Sequence, residues 1–335
     1  MTEGTMDHPD LIEEDGLLFA CVLDGNGGAS FLGWQDINKW TEADGPLWIH
    51  LDNKNLNAGS WLRERSGLTI PTAEALLAEE TRPRVFRGKR GLVAILRGIN
   101  LNANQNGEDM VAMRMWSEGK RVLTLRHERM HTPRDILEKL IESHDGPKTA
   151  PELFERLISR VNDPISETIL ALEDQIDDLE AKLDVGKAQE QRRQLSAIRQ
   201  KAVRLRRYIA PQREALSTLL AEPPDWLSEN LRPHLRETSD RLMRYIEELD
   251  AIRERAVVLK DDIANQLSEA ANQTLYVLAI ISAIFLPLAF LTGLLGINIG
   301  GMPGVENDYA FWIFCALMAM CLVAELFIFR KLRWL

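Results

Sequence analysis

Cysteine is scarce in this 335-residue chain, which holds only Cys21, Cys315 and Cys321. The last two lie inside an apolar run, so neither a disulfide framework nor a thiolate metal cluster is indicated, and a reducing compartment fits. A basic excess is also missing. Forty Lys and Arg stand against fifty Asp and Glu, a formal charge of -10. Nucleic-acid binding, which needs a cationic footprint, is therefore not expected, and cations are the better-matched partners. No P-loop or dinucleotide fingerprint appears, so nucleotide-driven chemistry has no support. The first residues, MTEGTMDHPDLIEEDG, are acidic and lack the cationic-then-apolar pattern of an export signal, so the N-terminal part is expected to stay in the cytosol. Proline is absent between Pro233 and Pro287, and so long a stretch without a helix breaker invites one very long helix.

Average composition hides what is present. The hydrophobic fraction is 45% and the mean hydropathy is -0.18, ordinary for a soluble protein, so membrane segments must be sought locally. Leu275 to Ile297 is twenty-three residues without a charge, and Tyr309 to Phe329 is twenty-one with the single acid Glu325. Each meets the roughly 20 apolar residues that a helix needs to cross a bilayer. Arg330, Lys331 and Arg333 follow the second span directly, whereas Asn298 to Asp308 contains Glu306 and Asp308 and no Lys or Arg. The positive-inside rule then puts both termini in the cytosol and the acidic loop outside, in a cytoplasmic (inner) membrane.

The N-terminal part reads as mixed α/β. Short β-rich runs cover Leu17 to Leu23, Leu47 to Leu51, Gly91 to Ile99, Met110 to Trp116 and Val122 to Leu125, the last two joined by a Gly-containing turn at Ser117 to Lys120. Pro71, Thr72 and Glu74 suggest the start of a short helix. Beyond Pro133 the strand signal stops. Between Asp163 and Asp184 acids dominate an amphipathic helix, Gly186 breaks it, and the next stretch is rich in arginine. A helical hairpin held by complementary charge is the expectation, against two separately solvated faces. Apolar residues from Leu242 to Leu267 continue the helical period, and a helix from about Arg236 to Ile297 would rise roughly 90 Å. The organisation expected is a cytosolic α/β domain over 1–150, a long-helix stalk over 151–273, a first span over 274–297, an outer loop over 298–308, a second span over 309–329 and a basic tail over 330–335.

His127-Glu128-Arg129-Met130-His131 matches the H-E-x-x-H pattern of zinc proteases. That chemistry needs both histidines on one helix, yet a strand precedes them and Thr132-Pro133 is expected to interrupt any helix, so no enzyme is expected; a regulatory metal site at His127 and His131 stays open. Glu325, about one turn from Arg330, is expected to snorkel or pair with it. Along one side of the first span run Asn272, Leu275, Leu278, Ser282, Leu286, Ala289 and Gly293. Such a stripe suits a pore lining or a close helix-packing face.

The sequence Phe285-Leu286-Pro287-Leu288-Ala289-Phe290-Leu291-Thr292-Gly293-Leu294-Leu295-Gly296-Ile297-Asn298 resembles the end of the first span in the CorA family of divalent-cation transporters, which carries a Gly-Met-Asn signature there. Ile297 departs from that signature. With Ile299-Gly300-Gly301-Met302-Pro303-Gly304 it resembles the zinc-transporting ZntB branch. The resemblance implies a homopentameric funnel whose five first helices surround a pore lined by the stripe above, with Gly296, Ile297 and Asn298 at its mouth and Glu306 and Asp308 concentrating cations outside. The cargo it implies is zinc, or cadmium, nickel or cobalt, with protons as a conceivable co-substrate. A magnesium or cobalt channel and a membrane-anchored scaffold are the alternatives. No resident cofactor is expected; the implied partners are the cation, the bilayer and further copies of the chain.

Overall fold

The computed structural model describes residues 15–79, 81–102, 110–296 and 308–331. They divide into two compact units, one running to Leu183 and resuming over Gln189–Lys260, the other combining Asp184–Ala188 with the chain from Asp261 onward.

The first unit is built on a seven-stranded sheet. Its strands are β1 (Leu17–Leu23), β2 (Ala29–Phe31), β3 (Leu47–Asp52), β4 (Arg84–Arg87), β5 (Leu92–Gly98), β6 (Val111–Ser117) and β7 (Arg121–Arg126), in the order β2-β1-β3-β7-β6-β5-β4. β3 and β7 are parallel, with Trp48 opposite Val122 and His50 opposite Thr124. The other neighbours are antiparallel. The five sequence-predicted strands match β1, β3, β5, β6 and β7 to within about a residue at either end. β2 and β4 are edge strands of three and four residues, too short to show alternation. The β6–β7 turn requires Gly119, whose φ is +91° and whose absent Cβ leaves room for the side chain of Trp226.

Helices cover both faces, which is why the strands read as nearly continuous apolar runs. A short turn of helix, α1 (Trp34–Ile37), is followed by α2 (Leu56–Glu64) and α3 (Ile70–Leu77). Through Ala58, Trp61, Leu62, Ala73 and Leu76 they share one core with Ile49, Leu51, Val93, Ile95, Trp116 and Leu125. α4 (His131–Glu138) and α5 (Ala150–Asn162) follow β7, and α5 packs on β5, β6 and β7. The Thr149 hydroxyl caps α5 by accepting from Glu152 N–H at 3.3 Å. Its buried face is Leu153, Phe154, Leu157, Ile158 and Val161, side chains that contribute about 1.5–3 kcal/mol each when fully buried. His131 opens α4, so Pro133 falls in the first helical turn, where its missing N–H costs nothing. The expectation that Thr132-Pro133 would stop a helix is corrected. The two histidines still lie on different elements, because His127 sits in the bend after β7.

Three longer helices complete the unit: α6 (Pro164–Ala181), α7 (Ala188–Ala221) and α8 (Arg232–Leu295), the last continuing into the second unit. α6 and α7 run antiparallel. Near one end Gln212 Nε2 donates to Asn162 Oδ1 at 2.6 Å, and near the other Gln191 Nε2 donates to Lys182 O at 2.7 Å. α6 and α8 run parallel, with Asp163 bound to Arg241 at 3.1 Å and Asp177 to Arg255 at 2.6 Å. Glu180 also meets Arg255, and Arg206 of α7 meets Asp250 of α8. The predicted hairpin is there, but Asp163 just before α6 and Asp177 and Glu180 within it bind arginines of α8 rather than those of α7. Each pair is partly exposed and contributes no more than about 1 kcal/mol. Buried Ile165, Ile169, Leu172, Ile176, Leu205, Ile209, Leu242 and Leu249 supply the larger share.

Gln212 also ties α7 to the sheet. β4 begins only at Arg84, opposite Ile95, so two residues further along β5 Arg97 has no strand neighbour on that side. The Gln212 side chain takes the place of the missing strand: its Oε1 accepts from Arg97 N–H at 2.6 Å and its Nε2 donates to Arg97 O at 2.9 Å. The carboxamide is fully buried.

Candidate functional site

Among the described residues, the end of α8 and α9 (Ala310–Lys331) are the two helical segments long and apolar enough, by length and composition, to cross a membrane. The sequence explains why the α8 segment stays helical without charge. Leu, a strong helix former, is its commonest residue, and its Ser and Thr hydroxyls are satisfied locally. Ser282 Oγ donates to Leu278 O at 2.8 Å, and Thr292 Oγ1 contacts Leu288 O at 3.1 Å and Ala289 O at 3.0 Å. Donating one turn back leaves no bare hydroxyl proton in a hydrocarbon setting. Pro287 lacks an N–H, so the carbonyl of Ala283 has no donor one turn ahead.

Asn272, Leu275, Leu278, Ser282, Leu286, Ala289 and Gly293 all lie on α8, spaced three or four residues apart, and all are exposed in the single chain. Leu286 is 74% exposed and Leu275 62%. Exposure alone does not select this side, since Tyr276, Phe285 and Phe290 are equally open. Ser282, Ala289 and Gly293 fall within the stripe beside Leu275, Leu278 and Leu286, and a Cβ placed on Gly293 would meet nothing within 4 Å. Near the end of the helix Gly296 N–H donates to Thr292 O at 2.9 Å. Asp308 is exposed in the turn before α9. Ile297, Asn298 and Glu306 lie outside the described residues.

α9 has a partly covered seam of Phe314, Met318, Cys321, Leu322, Glu325 and Phe329. Glu325 Oε2 is out of solvent contact and has no hydrogen-bond partner. The expected ion pair with Arg330 does not form; Glu325 faces the seam while Arg330 is exposed.

The two histidines of the regulatory metal candidate follow the sheet, His127 in the bend after β7 and His131 at the start of α4. His127 is half-buried with Nδ1 unpartnered, and His131 is exposed. Among the described residues no group of three or more His, Cys, Asp or Glu could hold a metal ion. Sequence reasoning missed a buried polar cluster in the sheet. Trp48 Nε1 donates to Thr124 Oγ1 at 2.9 Å and His50 Nδ1 lies 2.8 Å from the same hydroxyl. Burial, helped by the Arg126 charge, pushes the His50 pKa down to about 3, so its imidazole is neutral. One residue of an apolar strand run gives no signal of this.

Comparison with known proteins places these features. The family model described as "CorA-like Mg2+ transporter protein" matches residues 43–331. The divalent cation transporter CmaX of Pseudomonas aeruginosa is 38% identical over 326 residues, covering 96% of this chain and 98% of that protein. The zinc transport protein ZntB of Pectobacterium carotovorum is 33% identical over 324 residues, covering 97% and 98%. A solved structure of full-length CmaX superposes with a TM-score of 0.83 at 37% identity, covering 96% of this chain and 99% of that one. The α/β sheet unit, the long helices and the two apolar helices thus recur together across nearly the whole length, and the chain belongs to the CorA-like family of divalent-cation transporters.

Proposed function

We propose that this chain is one subunit of a homopentamer that carries hydrated divalent cations, zinc first among them, across the cytoplasmic membrane. In this reading five copies of α8 enclose the path. Asn272, Leu275, Leu278, Ser282, Leu286, Ala289 and Gly293 line it, and Gly296, Ile297 and Asn298 form its outer mouth. The observation that carries the reading is the exposed, uncharged side of α8, which in a single chain has nothing to cover it. Its average spacing of about 3.5 residues is that of helices supercoiled around a common axis.

The chemistry fits an ion that keeps its water. The stripe offers no Cys, His or carboxylate of the kind that holds zinc tightly. A ring of neutral carboxamides at Asn298 would accept hydrogen bonds from metal-bound water, and so could discriminate by size and charge without stripping the shell. Glu306 and Asp308 would raise the local cation concentration, an effect that salt weakens. Arg330 and Lys331 at the end of α9 support cytosolic termini. Zinc is favoured by the ZntB relatives and by Ile297. A magnesium or cobalt channel is the second reading, supported by the magnesium in the family model's description.

Purified protein in liposomes tests this. Asn298→Ala is expected to abolish selective zinc uptake while the oligomer stays intact on native mass measurement; unchanged uptake would remove the filter role. Zinc and magnesium uptake compared with and without an imposed proton gradient separates the two cargo readings.

A further inference from the structure

We propose that the acidic outer face of α6 and the basic outer face of α7 form the two sides of one seam between neighbouring copies of this chain. The proposal rests on the ring assembly above and adds which surfaces close it. On α6 the residues Glu167, Leu170, Asp174 and Asp178 follow one another at spacings of three and four, and all are exposed. On α7 the exposed residues Arg192, Arg199, Val203 and Arg207 follow at seven, four and four. These two faces do not cover each other within the chain, since Leu170 is 57% and Val203 47% exposed. Glu167, Asp174, Arg199 and Arg207 have no ion-pair partner among the described residues, although other charges of the same helices are taken by α8.

Height along the hairpin is what makes the two faces complementary. Gln212 bound to Asn162, just before α6, and Gln191 bound to Lys182, just after it, fix the levels of the antiparallel helices. By those pins Glu167 is level with Arg207, Leu170 with Val203 and Asp174 with Arg199, each within one residue, or about 1.5 Å. Copies arranged around an axis that runs along the hairpin stand at one height. The α6 face of each copy therefore meets the α7 face of the next with acid opposite base and one apolar pair between them. Such a contact is head-to-tail: each copy uses one face on either side, and the set closes into a ring. Half-exposed ion pairs add little strength and do fix register and partner, while Leu170 against Val203 supplies the apolar anchor.

Cysteine crosslinking of the full-length protein in lipid tests it. A chain carrying both Leu170→Cys and Val203→Cys, oxidised, is expected to give a ladder on non-reducing denaturing gels from dimer up to the full ring. Each single substitution, which also reports bridges to the native cysteines, is expected to stay monomeric. Asp174→Arg in the double-cysteine chain should slow crosslinking roughly threefold to fivefold, the size of one partly exposed ion pair, and adding Arg199→Asp should restore it. No ladder beyond that of the single substitutions, in protein whose native mass is that of a ring, overturns the seam and leaves the assembly standing. Products that stop at dimer overturn it as well, because they mean a face meeting itself. A monomeric parent protein removes both the seam and the assembly beneath it.

Discussion

Replacing Gln212 by methionine keeps length and volume and removes every hydrogen bond of the carboxamide. Three groups then lose this partner: Arg97 N–H and Arg97 O, which are part-buried, and the buried Asn162 Oδ1. A buried polar group left unsatisfied costs about 1–3 kcal/mol. Better burial of the apolar replacement offsets part of that, so a net loss of about 3 kcal/mol is expected. For a unit of this size 1 kcal/mol corresponds to roughly 2–4 °C in melting temperature, which makes the shift about 6–12 °C. Trp48 and Trp116 are fully buried in the same unit, so tryptophan fluorescence of the detergent-solubilised protein, heated at a fixed scan rate, reads the transition. Gln212→Glu should also destabilise, since it removes both donated hydrogen bonds and buries a charge. If Gln212→Met melts within about 1 °C of the parent, the side chain is not standing in for a strand, and the account of how α7 is held to the sheet fails.

Acid should act through His50. Its ordinary value is 6.5 and burial lowers it to about 3, so below pH 6.5 the unfolded chain binds a proton that the folded chain refuses. Stability is full above that pH and falls by about 1.4 kcal/mol per unit towards pH 3; urea midpoints measured across pH 7 to 5 should show a slope that His50→Phe reduces, and parallel curves would contradict it. Gly119→Ala should lower the melting temperature, because it strains a positive φ and crowds Trp226, at a cost of about 2–3 kcal/mol. It should also disturb the edge-to-face contact of Trp226 with Phe154, 5.4 Å between centroids, which near-ultraviolet circular dichroism detects.

Local pattern determined a good deal here. Two uncharged runs longer than a bilayer, a proline-free stretch and five β-rich runs are periodic features of adjacent residues. They specified the α/β unit, the long helix and both apolar helices, because hydrophobic period and the backbone limits of proline act over a few residues. The order β2-β1-β3-β7-β6-β5-β4 was decided by tertiary structure alone, since it depends on which strands meet across loops of many residues. So were the partners of the charges. Asp177 and Asp163 could have paired with any nearby arginine, and it is the parallel packing of α6 and α8 that gives them Arg255 and Arg241. Glu325 shows the same limit: one turn from Arg330 in sequence, it faces a different side of α9. Gln212 looks like one more polar helix residue until the late start of β4 leaves no strand beside the main chain of Arg97. Sequence thus specified the elements, whose physics is local, and the fold specified the partners, because satisfying a buried donor or charge depends on what three-dimensional packing brings within 3 Å.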